Sequence, residues 1–112
     1  MNNKLLIYLK DIKIAITSIE KFIEGQDFNQ FKADDKTSSA VIRKFEIIGE
    51  ASKNIPQAIR KQYPLIPWKD VTGMRDKLIH AYSDVDLKLV WTTIHQRLPE
   101  LKTIIEKLIE KG

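Results

Sequence analysis

From Leu5 to Ile23 the apolar residues Leu5, Leu9, Ile12, Ile16, Ile19 and Ile23 recur at steps of three and four. That spacing puts one continuous stripe along a helix of five turns or more, and a strand, with its period of two, cannot use it. A helix with one long greasy stripe must be covered by other helices or by a sheet, so the rest of the chain decides which. Gly25 stands where a glycine ends such a helix. Asp27 reads as the N-cap of a short turn or helix holding Phe28 and Phe31, and the polar run Asp34 to Thr37 reads as a loop. A second long helix carries Val41, Phe45, Ile48 and Ile55 on one face, widened by Ile42 and Ile47, and Pro56 marks its end. Gln57 to Tyr63 forms a short helical connection closed by Pro64. Pro67, Trp68 and Asp70 suit a first helical turn, and the helix they open is expected to run to about Tyr82. Asp84 or Asp86 opens the next, with Leu87, Val90, Trp91 and Ile94. Pro99 starts a last helix through Leu101, Ile104, Ile105, Leu108 and Ile109. No stretch of four residues alternates in the manner of a strand, so the expected cover is helical. The predicted architecture is an all-α, up-and-down bundle of four to five main helices, in one domain over residues 1–112.

Composition narrows the chemistry such a bundle can host. With no cysteine in 112 residues, disulfide scaffolds, thiolate-bound zinc and thiol nucleophiles are excluded, and two histidines leave little for an imidazole-built metal site. No apolar run approaches the roughly 18 residues of a membrane span. The first twenty residues carry Lys4, Lys10, Asp11, Lys13 and Glu20, unlike a signal peptide. The expectation is an intracellular, cytoplasmic protein without a membrane partner. Its formal charge of +4 permits a nucleic-acid partner without requiring one.

The segment Gly73-Met74-Arg75-Asp76-Lys77-Leu78-Ile79-His80-Ala81-Tyr82 concentrates groups able to act on phosphates. Arginine offers a permanently charged planar fork, and histidine exchanges a proton near neutrality. Tyr82 adds a phenol that can donate a hydrogen bond or accept a group. At about 100° per residue, Arg75 and Tyr82 lie nearly in line while His80 sits about 140° round from Arg75. One straight helix therefore does not aim both at one atom. Either the helix ends near His80, or two protomers bring two Arg75 and two His80 around a shared groove, which a two-fold dimer does naturally. Gly73 within a helix signals close approach by another group, or a helix that begins later. By spacing alone, Arg75, Asp76, Lys77 and His80 are also what an ordinary solvated helix face contains.

Other residues carry plainer readings. His95, among Trp91, Ile94 and Leu98, is a packing or surface histidine. Trp68 and Trp91 are core or interface anchors. Glu46 and Glu50, one turn apart, suit salt bridges, with Glu50 able to support Arg75 from a neighbouring helix. Lys10, Lys13, Lys21, Lys102, Lys107 and Lys111 belong to solvated faces.

The words around the motif resemble a known family. Ala40-Val41-Ile42-Arg43-Lys44-Phe45-Glu46-Ile47-Ile48-Gly49-Glu50-Ala51-Ser52-Lys53 is similar to the second helix of the HepT-like toxins, a branch of the HEPN superfamily. So are Tyr63-Pro64-Leu65-Ile66-Pro67-Trp68, Gly73-Met74-Arg75, Leu78-Ile79-His80-Ala81-Tyr82, Val85-Asp86, Val90-Trp91 and Leu98-Pro99-Glu100-Leu101, so the likeness runs from about Asp11 to Leu101. The resemblance implies a helical-bundle homodimer acting as a metal-independent endoribonuclease, with no cofactor. It implies catalytic Arg75 and His80 in an Arg-x4-His motif meeting at the dimer cleft, with Asp76 in support. It further implies an MNT-type nucleotidyltransferase antitoxin as partner, which silences the toxin by transferring AMP from ATP to Tyr82. Ala81 stands where many relatives carry glycine. Two other readings fit the bundle: a non-catalytic helical module that binds or presents substrate to a nucleotidyltransferase, and a purely structural dimerisation domain. The second leaves the cluster from Arg75 to Tyr82 unexplained.

Overall fold

The computed structural model describes residues 3–66, 68–73 and 86–111, all of them in helices, turns or short connections. In chain order these are α1 (Asn3–Phe22), α2 (Phe28–Ala33), α3 (Asp35–Lys53) and α4 (Gln57–Gln62). Helical residues 68–73, α5 below, follow, and then α6 (Leu87–Gln96) and α7 (Leu98–Lys111). No strand occurs among the described residues, in keeping with the all-helical expectation.

The stripe on α1 organises the packing. Leu9, Ile12, Ile16 and Ile19 are wholly buried and Leu5 and Ile23 nearly so. Two helices cover them: α3 with Val41, Phe45 and Ile48, and α7 with Leu101, Ile105 and Leu108. α6 packs on α7 and reaches α2, closing the far side of the core with Val90 and Ile94. Two ion pairs tie α1 to α7 along their shared edge, Lys102 to Glu20 at 2.7 Å and Lys13 to Glu106 at 3.6 Å. Lys13 and Lys102, expected to be free solvated charges, are thus cross-helix partners. Being part-exposed, such pairs contribute at most about 1 kcal/mol each, and fix register more than stability.

The polar run after α2 differs from the expected loop. Asp34 alone joins the two helices, because it serves both. Its backbone N–H donates to Gln30 O at 3.0 Å, ending α2. Its carboxylate accepts from the Thr37 backbone N–H at 3.1 Å and the Thr37 hydroxyl at 2.6 Å, starting α3. Gln26 Nε2 donates to the same carboxylate at 3.0 Å. Upstream, Asp27 and Gln30 form a reciprocal capping box, both bonds at 2.8 Å, after a left-handed turn at Gly25 (φ 77°) that glycine adopts without steric cost. The far end of α3 lies at Lys53, short of Pro56, yet Ile55 is still buried. α7 begins at Leu98, one residue before Pro99, with only Arg97 separating it from α6.

Two outcomes follow from this packing. Ile48→Ala empties a fully buried site between α1 and α3, and urea denaturation should show a loss of about 2–5 kcal/mol. The Thr37 hydroxyl and backbone N–H, with Gln26, hold the Asp34 carboxyl below its ordinary value of 3.8. A depressed folded pKa stabilises the fold above the unfolded value and is lost as pH falls through the folded one. The thermal midpoint of the wild type should therefore exceed that of Asp34→Ala at neutral pH, with the gap narrowing below 3.8. A gap that does not change with pH would contradict the cap.

Candidate functional site

Arg75, Asp76, His80 and Tyr82 lie outside the described residues, as do Asp84 and the expected course of the third main helix beyond Gly73. The described residues define the two points between which that segment is held.

The entry point is built by Arg60. Its Nε donates to Ile55 O at 3.1 Å and its Nη2 to Ser52 O in a short bond, so one guanidinium ties together two carbonyls at and just beyond the end of α3. The same guanidinium lies 5.9 Å from the centre of the Trp68 ring. Trp68 Nε1 donates to Tyr63 O at 3.1 Å, and the ring is 8% exposed among the core side chains. Ile66 and Val71 are buried beside it in the same core. α5 is thus fixed to the C-terminal end of α3 before the chain reaches Arg75. Sequence reading did not single out Arg60. Its hydrogen-bond partners are backbone carbonyls, which have no residue type to recognise, and only its place soon after a helix end was a signal. Gly73 is helical, and a Cβ built there meets no described atom within 4 Å, so packing within the described chain does not demand glycine.

The exit point is Asp86, whose carboxylate accepts from the Leu89 backbone N–H at 3.0 Å and caps α6. This decides between the two aspartates considered for that role. Trp91, one turn on, is half-buried against Phe31 (ring centres 5.1 Å apart) and Phe28 (6.3 Å). His95 is exposed and meets Trp91 edge-on at 4.5 Å, a surface histidine as expected.

Between α1 and α3 lies an open groove of about 370 Å³, with Tyr8, Asp11, Arg43, Glu46 and Glu50 on its walls and Ile47 and Ala51 among its lining residues. Arg43 pairs with Glu46 at 3.2 Å, as the salt-bridge reading of that glutamate required. Glu50 faces the same groove; the contact with Arg75 proposed for it falls outside the described residues. Among its described lining residues the groove carries three carboxylates and one guanidinium. Among the described residues no group of three His, Cys, Asp or Glu is placed to hold a metal ion, and no helix is long and apolar enough to cross a membrane.

Comparison with known proteins adds what the geometry leaves open. The family model described as "Ribonuclease HepT-like" matches residues 12–108. A Thermococcus cleftensis protein named "Probable ribonuclease HepT" is 52% identical over 101 residues, covering 90% of this chain and 92% of its own. The Methanocaldococcus jannaschii protein "Putative RNase MJ0125" is 45% identical over 103 residues, covering 92% and 89%. A second relative from that organism, "Gamma-glutamylcyclotransferase and putative RNase MJ0434", is 40% identical over 99% of this chain, which spans 50% of it. No solved structure matches.

Arg60→Ala removes two charge-assisted bonds and the ring contact together. The expected loss is about 1.5–3 kcal/mol, measured by chemical denaturation. It should be accompanied by a red shift in Trp68 emission, recorded in a Trp91→Phe background.

Proposed function

The chain belongs to the HepT-like ribonuclease family, and from that premise we propose that it is a metal-independent endoribonuclease, the toxin of a toxin–antitoxin pair. The observation that carries the proposal is the family match over residues 12–108, which contains Arg75, Asp76, His80 and Tyr82 as an unbroken Arg-x4-His-x-Tyr sequence.

RNA brings its own nucleophile, so the protein needs neither a metal nor a covalent intermediate. The 2′-oxygen attacks the adjacent phosphorus as one histidine takes its proton. The bond from phosphorus to the 5′-oxygen of the next nucleotide breaks as a second histidine supplies a proton to that oxygen. The products are a 2′,3′-cyclic phosphate and a 5′-hydroxyl. His80 is the acid–base group, and Arg75 stabilises the charge that gathers on the phosphorane oxygens. Asp76 orients one or the other. The offset that one straight helix would give Arg75 and His80 favours a homodimer: a cleft shared by two protomers supplies both histidines and a guanidinium to one phosphate.

Tyr82 is the off-switch. Its phenol oxygen attacks the α-phosphorus of ATP, held by an MNT-type nucleotidyltransferase antitoxin, and pyrophosphate leaves. The bulk and negative charge of the attached AMP then oppose entry of RNA beside His80, the same logic as inhibitory phosphorylation.

Unmodified protein, checked by intact mass, is expected to cleave total RNA in EDTA. His80→Ala should lose about 10²–10⁴ in rate with fold and dimer unchanged. Tyr82→Phe should cleave like wild type and resist the antitoxin, with no mass gain on incubation with ATP. Equal cleavage by His80→Ala and wild type would remove His80 from the chemistry. No cleavage by folded, unmodified wild type would leave a non-catalytic partner-binding module.

A further inference from the structure

The described surface is uneven in charge. Among the described residues that line the α1–α3 groove, Asp11, Glu46 and Glu50 stand with Arg43. The α2–α6 face is the reverse. From Leu87 to Leu98 the chain contains no acidic residue but has Lys88, His95 and Arg97, and α2 itself carries Lys32 and no carboxylate. Lys32, Lys88, His95 and Arg97 are all exposed.

The same face carries a group of neighbouring aromatic side chains that reaches solvent. Phe31 is buried, Trp91 rests on it half-covered, and His95 stands at the outer edge of Trp91, so the rings step from core to surface. Phe28, half-buried, flanks Trp91, and the Lys88 ammonium lies 4.4 Å from the centre of its ring. Lys88, Trp91 and His95 follow one another at i, i+3 and i+7, which aligns them on one side of α6. Rings anchored from below, with cations beside them and carboxylates confined to the helix ends at Asp27, Asp34 and Asp86, are what an unpaired nucleotide needs: a surface for the base and a charge for its phosphate.

We infer that the Phe28–Lys88–Trp91–His95 cluster is a subsite for single-stranded RNA, the base lying against the exposed His95–Trp91 end and its phosphate held by Lys88. This rests on the ribonuclease reading, since RNA is the ligand, and it places strand recognition on α6, the helix that directly follows the segment from Arg75 to Tyr82.

The test uses the full-length protein and a 12-nucleotide 2′-O-methyl oligonucleotide, which has no free 2′-hydroxyl and is not cut. In a Trp68→Phe background, confirmed folded by circular dichroism, Trp91 is the sole tryptophan, and binding should quench its emission. Lys88→Glu and His95→Ala should each weaken binding about fivefold or more, Lys88→Glu with a shallower salt dependence. On cleavable RNA both should raise KM with kcat held within about twofold, as expected of binding that is uniform through the reaction. Binding without quenching, or affinity unchanged in both variants, would overturn the subsite. Such a result alongside wild-type cleavage would overturn the subsite and leave the ribonuclease reading standing. Quenching and weakened binding in a protein that never cleaves RNA would support the subsite and overturn the ribonuclease.

Discussion

Burial of one stripe on α1 by two helices at once is the constraint on which the other described elements depend. α3 and α7 stand far apart in the chain and both pack on α1, whose stripe from Leu5 to Ile23 is buried. The ion pairs Lys102–Glu20 and Lys13–Glu106 mark the register that this packing selects. With α3 fixed, its C-terminal end becomes a rigid post. Arg60 grips that end and Trp68 together, and α6, seated on α7 and α2, provides the second post at Asp86. In the chain, the segment from Arg75 to Tyr82 lies between these two posts.

Among the described residues the core draws its apolar side chains from α1, α3, α6 and α7, with Phe31 of α2 and Trp68 and Val71 of α5 joining them. Charge is sorted as well. Carboxylates line the α1–α3 groove, and the helices flanking the exit from the cluster carry cations and rings. An enzyme for a polyanionic strand needs that separation, because a uniformly mixed surface gives the strand no preferred course.

Much of the fold was legible in the sequence, and the failures have a common cause. The Leu5 to Ile23 stripe, the Asp27 cap, the stop near Pro56 and the short α4 all rest on local rules, where a residue and its partner lie within four positions. Asp34 was misread because a polar run looks the same whether it is a loop or one aspartate capping one helix while ending another; the difference is a hydrogen bond to Thr37, not a letter. Lys13 and Lys102 looked solvated because their partners lie on a helix at the other end of the chain. Arg60 was passed over because it binds carbonyls, which every residue has. For the candidate site, the sequence supplied the residue types and the angular conflict between Arg75 and His80. It also carried the family resemblance, which the match over residues 12–108 bears out. The meeting of two protomers is a property of no single chain, and so had to be argued from that conflict and from the family.

The central claim is that RNA is cut by its own 2′-hydroxyl, with no metal and with the protein supplying only protons and positive charge. Mass spectrometry of the ends left by the unmodified protein on a defined RNA in EDTA reads that chemistry directly. The account predicts 2′,3′-cyclic phosphates, or the monophosphates they hydrolyse to, facing 5′-hydroxyl ends. Fragments bearing 5′-phosphates and free 3′-hydroxyls would mean that water was the nucleophile, and the account would be wrong at its base.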